Sequence, residues 1–570
     1  MGSEWLDSSL GDVVNINPTR ALHKGANSTY ISMQQLESGN RQVSRLDGRL
    51  FKGSGSRFQN GDTLLARITP CLENGKTAYV NFLEDGEIAH GSTEFIVLSG
   101  IEGMTDDLFV YYLTRSPEFR DFAIVRMEGS SGRQRVPAPT LKRFTFACPP
   151  LPEQRAIAHI LGSLDDKIEL NRRMNETLEA MARAIFKSWF LDFDPVCAKA
   201  DGRDTGLSGE IADLFPDSFE DSELEEVPAG WKQTTIRDEF NLTMGQSPPG
   251  STYNETGEGL PFFQGRRDFG FRYPANRVYC TATKRIAEHS DTLVSVRAPV
   301  GSVNMAAERC CIGRGLAGIR HKSGSRSYTY YAMHTLRNHF NRFEAEGTVF
   351  GAINKKQFEE IMWIAPPTSL VERFEQIAFP FDERIESNEQ ESTTLATLRD
   401  TFLPKLISGE LRVPDAEKFI EEWKQDDKSH DWLFRPDKQF WDEISRMQLP
   451  AFQGALTDYR LSRNPFFFKF VKRKIVDDSH QSFLVSLDHL NQILASPEAR
   501  GPKDGIRLSY DALDGTYLRE ADMIRLIRSG YVGTHRAETD VLATIIYEVA
   551  SGNRALVLAW QRKMKEGVGV

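Results

Sequence analysis

Leu164-Asp165-Asp166-Lys167-Ile168-Glu169-Leu170-Asn171 returns 217 residues later as Phe381-Asp382-Glu383-Arg384-Ile385-Glu386-Ser387-Asn388. Apolar, acidic, basic and amide side chains recur in the same order. Further pairs flank these octets in both directions. Trp5 with Gly11-Asp12 answers to Trp231 with Arg237-Asp238, and Gly61-Asp62-Thr63-Leu64 to Ser290-Asp291-Thr292-Leu293. Glu128-Gly129-Ser130 answers to Glu346-Gly347-Thr348, and Ala147-Cys148-Pro149-Pro150 to Ile364-Ala365-Pro366-Pro367. The order is kept while the offset drifts by about a dozen residues, as loop insertions make it do in a duplicated fold. A unit of about 220 residues therefore occurs twice.

Each unit has two parts. The first is rich in Gly, Pro and aromatics, with short apolar runs such as Thr63–Ile68, Phe95–Leu98 and Thr292–Val296. Asn74-Gly75 and Asp85-Gly86 separate such runs as turns, so strands and hairpins are expected, with helices over Asp107–Arg115 and Tyr328–Phe340. After each Pro-Pro pair the period changes to helical. In heptads, the first segment places Ile157, Leu164, Asn171, Leu178 and Ile185 at a, and Ile160, Lys167, Met174, Met181 and Ser188 at d. The second places Phe374, Phe381, Asn388, Leu395 and Phe402 at a, and Ile377, Arg384, Glu391, Leu398 and Lys405 at d. Matched asparagines, Asn171 and Asn388, fall at the third a position, where a polar residue fixes register at a cost in stability. This pattern predicts two long helices packed antiparallel within the monomer, their asparagines satisfying one another. The alternative is two independent amphipathic helices, each on its own block. Pro380 should kink the second helix or mark its start.

The expected fold class is α+β: two pseudo-repeated mixed α/β blocks, a pair of long antiparallel coiled-coil helices, and a helix-rich C-terminal extension. The boundaries read 1–150 for the first block, 151–194 for the first helix and 195–229 for an acidic linker. They continue with 230–365 for the second block, 366–412 for the second helix and 413–570 for the extension. Helices of ~35–40 residues span roughly 50–60 Å at about 1.5 Å per residue. Two blocks on such arms suit two sites on one duplex face, where a helical turn measures about 34 Å.

The net charge of −10 over 570 residues argues against a nucleic-acid partner only if it is spread evenly. Residues 201–226 carry one base against ten acids, which is nearly the whole imbalance and reads as a solvated linker. Residues 227–365 carry 18 bases against 12 acids, whereas residues 1–150 are close to neutral. No apolar run approaches the ~18 residues a membrane span needs. The N-terminus lacks a secretory pattern. Six cysteines without metal-ligand spacing point to a reducing, cytoplasmic setting.

The run Pro149-Pro150-Leu151-Pro152-Glu153-Gln154-Arg155-Ala156-Ile157-Ala158, the octet Leu164–Asn171, and Phe186-Lys187-Ser188-Trp189-Phe190 resemble the specificity subunit of type I restriction-modification systems. So does the close of the second unit, Leu403-Pro404-Lys405-Leu406-Ile407-Ser408-Gly409-Glu410-Leu411. The likeness covers about residues 5–412. The second copy departs from it, since Pro366-Pro367 leads into Thr368-Ser369-Leu370-Val371-Glu372. The resemblance implies a non-catalytic subunit. Its two blocks would be target-recognition domains, each reading half of a bipartite, asymmetric duplex DNA target. Its helices would set the gap and dock two methyltransferase subunits, with restriction (motor) subunits joining for cleavage. S-adenosylmethionine, ATP and Mg would belong to those partners, with no cofactor in this chain.

Base reading and phosphate contact need Arg, Lys, Asn or Gln at the groove. The first block offers Arg67, Lys76, Arg133, Gln134 and Arg135, besides Arg57. The second offers Arg266, Arg267, Arg297, Asn354, Lys355, Lys356 and Gln357, besides Arg272 and Arg314. Gly132–Arg135 and Asn354–Gln357 stand at matched places before each Pro-Pro pair. Asn464-Pro465-Phe466-Phe467 is similar to an adenine-methyltransferase motif but lacks its second proline and a Gly-rich loop before it, so an aromatic core is expected there. His334 and His339 read as structural. Two rival readings stay open: an interaction scaffold that binds protein, and a separate activity in residues 413–570.

Overall fold

Thr63–Ala66 is buried at every position, which demands a neighbour on both sides and both faces. Phe95–Gly100 pairs along one edge and Thr77–Tyr79 along the other, both antiparallel, and Val14–Ile16 closes a four-stranded sheet. A second four-stranded sheet is built from Asp47–Leu50, Asn27–Ile31, Ala89–Gly91 and Ser56–Phe58 in that order. Its central pair, Asn27–Ile31 with Ala89–Gly91, is parallel, where turn signals alone suggested only hairpins. Leu6–Ser9 pairs with Thr145–Cys148, tying the start of the block to the strand just before Pro149-Pro150.

In the computed structural model the described residues are 5–43, 47–221, 226–337, 339–340 and 351–416. They form two compact units, residues 5–172 with 388–416, and residues 173–387. The second unit contains a four-stranded sheet ordered Phe240–Met244, Leu316–His321, Thr292–Ser295 and Val303–Met305. Its other sheet again has a parallel pair, Leu260–Phe263 with Cys310–Ile312. Lys232–Thr235 pairs with Met362–Ala365, the strand preceding Pro366-Pro367.

The helix Asp107–Arg115 starts at Asp106, whose carboxylate accepts from the Phe109 N–H, a standard N-cap. Its counterpart spans Arg326–Thr335, shorter than the expected Tyr328–Phe340. The carboxylate of Glu375 receives that helix's first N–H groups, from Arg326, Ser327 and Tyr328, at 3.0–3.3 Å.

Leu151–Phe190 and Thr368–Ser408 are the long helices. The second runs through Pro380 and begins 12 residues before it, so Pro380 does not mark its start. Each helix gives one half to each unit. In the first unit, Asp165 meets Arg399 and Asn171 meets Glu391, so the halves run in opposite directions. In the second, Phe186 and Trp189 pack on Phe374, with ring centroids 5.5 and 6.3 Å apart. All ten residues assigned to a are buried. At d, Lys405 is exposed.

Asn171 and Asn388 are both fully buried, but their amide side chains do not bond one another. Asn171 Nδ2 donates to Glu391 Oε2 (2.8 Å), Ser392 Oγ (3.2 Å) and the Asn388 carbonyl (3.4 Å). The reason is directional. An antiparallel pair offsets equal heptad positions, so the Asn171 amide faces the next turn of the opposing helix.

The acidic stretch is also more than a linker. Its described carboxylates are exposed, yet Val196, Ile211 and Phe215 are buried in the core of the second unit, with Phe215 edge-on to Trp189 at 5.3 Å. The Glu346-Gly347-Thr348 motif, the Asn464–Phe467 segment and the rest of 417–570 lie outside the described residues. No helix among the described residues is long and apolar enough to cross a membrane.

His321 supplies a pH test of the second unit. It is 5% exposed, packed edge-on against Phe240 and Tyr328, and burial together with the Lys322 charge pushes its imidazole down to about 4. An unfolded chain protonates this side chain from about pH 6.5 downward, whereas the folded one does not, so stability is lost as pH falls below about 6.5. At pH 5.5 the loss is roughly 1 kcal/mol, or about 2–4 °C in Tm. His321→Gln should shrink by that amount the Tm difference between pH 7.5 and 5.5 in thermal melts.

Candidate nucleic-acid interface

In the first unit the chain leaves the strand Thr63–Ala66 into a loop beginning at Arg67. Arg67 N–H donates to the Glu94 carbonyl, and its own carbonyl accepts from Val136 N–H, both at 3.0 Å. Thr69 N–H donates to the Gln134 carbonyl (3.0 Å), while Glu128 and Arg135 exchange backbone bonds at 2.8–2.9 Å. Residues 128–135 are thereby a hairpin held against the Arg67 loop. Gly129 and Gly132, at φ +119° and +78°, provide its left-handed turns.

Arg133 and Gln134 lie at this tip, Arg133 exposed and Gln134 half-buried. Arg135 does not project with them. Its guanidinium forks onto Glu94 at 2.7–3.0 Å and holds that carboxyl below the usual carboxylate range. Lys76 is committed as well, its Nζ donating to the Met33 carbonyl at 3.2 Å. Arg67 is half-buried with its Nε shielded from solvent. Of the five residues expected here, Arg133 is the exposed one, and neither it nor Gln134 has a side-chain hydrogen bond among the described residues.

The second unit repeats the arrangement with different side chains. After Thr292–Ser295, Val296 N–H donates to the Gly315 carbonyl (2.9 Å). Ala298 N–H donates to Gly351, and Ile353 N–H to Val296, at 2.9 and 3.0 Å. Arg297 pairs with Ala352 as Ile68 pairs with Arg135. Hence Ala352 is the counterpart of Arg135, and Asn354–Gln357 lies beyond the stretch that matches Gly132–Arg135. Asn354 caps the helix Lys355–Glu359: its side chain accepts from Gln357 N–H and Gln357 Oε1 accepts from Asn354 N–H, both at 3.0 Å. This capping box explains the spacing of Asn354 and Gln357 without any ligand. Lys355 and Lys356 are exposed and face Glu359 and Glu360 at 3.4 and 3.8 Å, pairs of little energetic weight.

Arg266, Arg267, Arg297 and Arg314 are exposed. None of the four has a carboxylate partner among the described residues. Short links gather Arg266, Arg297 and Arg314. Arg266 Nη1 reaches Ser302 Oγ (3.4 Å) at the far end of the Arg297 loop. Ser247 Oγ accepts from Arg314 N–H (3.2 Å) and donates to Gln264 Oε1 (2.8 Å). Ser247 and Gln264 were not singled out in the sequence, because the search there followed basic residues. The cue is Gln264-Gly265-Arg266, a polar step directly after a buried strand. The same step past the parallel pair in the first unit leads to Gln34, which is exposed and stands where the second has Arg266.

Arg272 is a correction. It is 0% exposed, its Nη1 on Asp382 (2.5 Å) and its Nη2 on Tyr331 Oη (2.9 Å) and Glu179 (3.4 Å), with its guanidinium 3.9 Å from the Tyr330 ring centroid. It belongs to the packing, not to a surface. Arg57 likewise donates inward, to the Arg20 carbonyl at 2.8 Å. All six cysteines are free thiols, and no group of three or more His, Cys, Asp and Glu among the described residues has metal-binding geometry.

Residues 2–180 match the family model described as the type I restriction modification DNA specificity domain. The putative MjaX specificity subunit of Methanocaldococcus jannaschii is 29% identical over 62% of this chain and 79% of its own. The HindI specificity subunit of Haemophilus influenzae is 26% identical over 72% of this chain and 100% of its own. Among solved structures, the HsdS subunit from Thermoanaerobacter tengcongensis is 26% identical over 72% of this chain and 97% of its own, with a TM-score of 0.28. Residues 2–180 thus match a type I restriction modification DNA specificity domain, and beyond them the chain is similar to type I specificity subunits over most of those relatives' length.

Proposed function

We propose that the chain recognises a bipartite, asymmetric duplex DNA target, each unit presenting its paired loops to one half-site. The observation that carries this is the set of exposed arginines at 266, 267, 297 and 314, none paired with a carboxylate among the described residues. Leaving these four open favours phosphate contacts or bidentate contacts to guanine edges. Arg133, Gln134 and Gln34 would serve the first half-site. Because the loops of the two units differ in side chains, the halves of the target differ in sequence.

In this reading the two long helices act as an antiparallel coiled-coil spacer, with Asn171 and Asn388 fixing its register, and the two blocks are copies of one ancestral unit. The chain has no catalytic role of its own. It docks two methyltransferase subunits, which restriction subunits join. S-adenosylmethionine, ATP and Mg serve chemistry in those partners. The complex works in the cytoplasm.

Selection from a random duplex library by the full chain assembled with its methyltransferase subunits tests the function. Two short motifs at one fixed spacing are expected. Enrichment of no bipartite motif would sink the proposal and favour a protein-binding scaffold. With the motif in hand, Arg297→Ala should weaken binding about tenfold, the cost of roughly 1–3 kcal/mol for a lost base contact. A competition assay should assign that loss to the second half-site. Arg133→Ala should act on the first half-site in the same assay. A substitution that only reduced the salt slope of binding, by about one, would assign its arginine to phosphate rather than base.

A further inference from the structure

The buried Arg272 has a counterpart that no motif revealed. In the second unit, Met305 is the Cα partner of Thr292, and its N–H donates to the Arg272 carbonyl at 2.8 Å. In the first unit, Tyr79 is the Cα partner of Thr63, and its N–H donates to the Arg41 carbonyl at 3.0 Å. Arg41 and Arg272 thus occupy the same place in the two sheets, though only Arg272 stands out as part of a basic run in the sequence. Both are buried, at 6% and 0% exposure. Both turn their guanidinium groups onto a long helix. Arg272 engages Asp382 and Glu179, and Arg41 engages Asp166 and the Gly162 carbonyl (3.3 Å).

Each arginine therefore links two parts of its unit that are otherwise separate elements. Its side chain is fixed on the helix. Its carbonyl is fixed on the strand that follows the candidate loop. In the second unit that strand is Val303–Met305, directly after the loop bearing Arg297. In the first it is Thr77–Tyr79, directly after the loop that begins at Arg67. Asn304 Nδ2 adds a bond to the Gly270 carbonyl (3.3 Å) beside Arg272. Tyr331, which accepts from Arg272, and Tyr112, which donates to Asp165 at 2.7 Å, sit at the same step of matched helices.

We infer that Arg272 and Arg41 are positioning residues: each locks the loop-bearing sheet of its unit at one angle on the long helices, and the pair thereby restricts the half-site spacing that the protein accepts. This rests on the DNA-recognition reading above. The unit 2 lock is the stricter one, since Asp382 is fully buried whereas Asp166 is 65% exposed.

The test uses the full chain assembled with its methyltransferase subunits and duplexes that carry both selected half-motifs, with the spacer varied one base pair at a time. The wild type should bind one spacing at least tenfold better than its neighbours. Arg272→Met should keep both half-motifs and lose that discrimination at least fivefold, with Arg41→Met acting in the same direction but less. Arg272→Lys, which keeps a buried cation, should retain most of it. Unchanged spacing preference in a cooperatively melting Arg272→Met protein overturns the inference and leaves DNA recognition standing. Should that variant fail to fold, Tyr331→Phe removes one bond to Arg272 with the packing kept; it should loosen spacing measurably, and no change overturns the inference. A wild type that selects no bipartite motif fails at the earlier step and takes the recognition reading down with it.

Discussion

A carboxylate buried on a helix must find compensating donors, or the helix cannot keep that face inside. Asp165 and Asp382 impose this condition at the same step of the repeated octet, with 4% and 0% exposure. Asp165 is met by Arg399 of the opposing helix (2.6 Å) and by the Tyr112 hydroxyl (2.7 Å), which burial and Asp165 itself keep well above the usual tyrosine value and hence protonated. Asp382 is met by Arg272. Apolar packing alone would let a recognition fold slide or rotate on the helix pair. A buried ion pair does not, because removing one partner of such a pair costs roughly 3–5 kcal/mol. The net stabilisation from these contacts is small by the same reasoning, since desolvation offsets most of the attraction. Their effect is on geometry.

That geometry explains why the candidate interface consists of loops rather than helices. With helices Asp107–Arg115 and Arg326–Thr335 buried against the long helices and the sheets, the exposed arginines of the candidate interface follow the ends of strands. The loops after Thr63–Ala66 and Thr292–Ser295 are each pinned from the side by a second loop through backbone bonds. Side chains on them are then free to differ without disturbing the sheet. Such a division between a fixed frame and replaceable loops is what a recognition protein requires.

The mixed α and β content and the two long helices with their buried faces were legible in the sequence because they depend on periodicity, which survives substitution. The a positions are buried throughout, and the helix Asp107–Arg115 follows from its cap and its apolar face. Partner choice was not legible. Asn171 and Asn388 share a heptad position, yet in an antiparallel pair the residues opposite one another are set by the offset between helices, which no local pattern encodes. The site was legible only in part for a related reason. Arg272, Arg135 and Arg297 are alike as letters. One is buried on Asp382, one is forked onto Glu94, and one is open, and those fates depend on residues 110, 41 and 55 positions away. Asn354 and Gln357 illustrate the opposite case, where a local rule, the capping box, accounted for residues read as binding groups.

The same logic accounts for the asymmetry between the units. Glu94 and Gly315 hold equivalent places, since the N–H of Arg67 donates to one carbonyl and that of Val296 to the other. In the first unit the side chain there is an acid that holds Arg135. In the second no side chain fits, because a Cβ on Gly315 would lie 2.4 Å from the Gln264 carbonyl oxygen. The close approach of Gln264 removes a position from which a carboxylate would neutralise the neighbouring arginines. A backbone constraint thus leaves the arginines beside Gly315 open in the second unit, while in the first Arg135 is paired with Glu94. On the proposed DNA-recognition function, electrostatic affinity for a polyanion would fall mainly on the second unit, and the first would rely on hydrogen-bonding groups such as Gln34, Arg133 and Gln134 at close range.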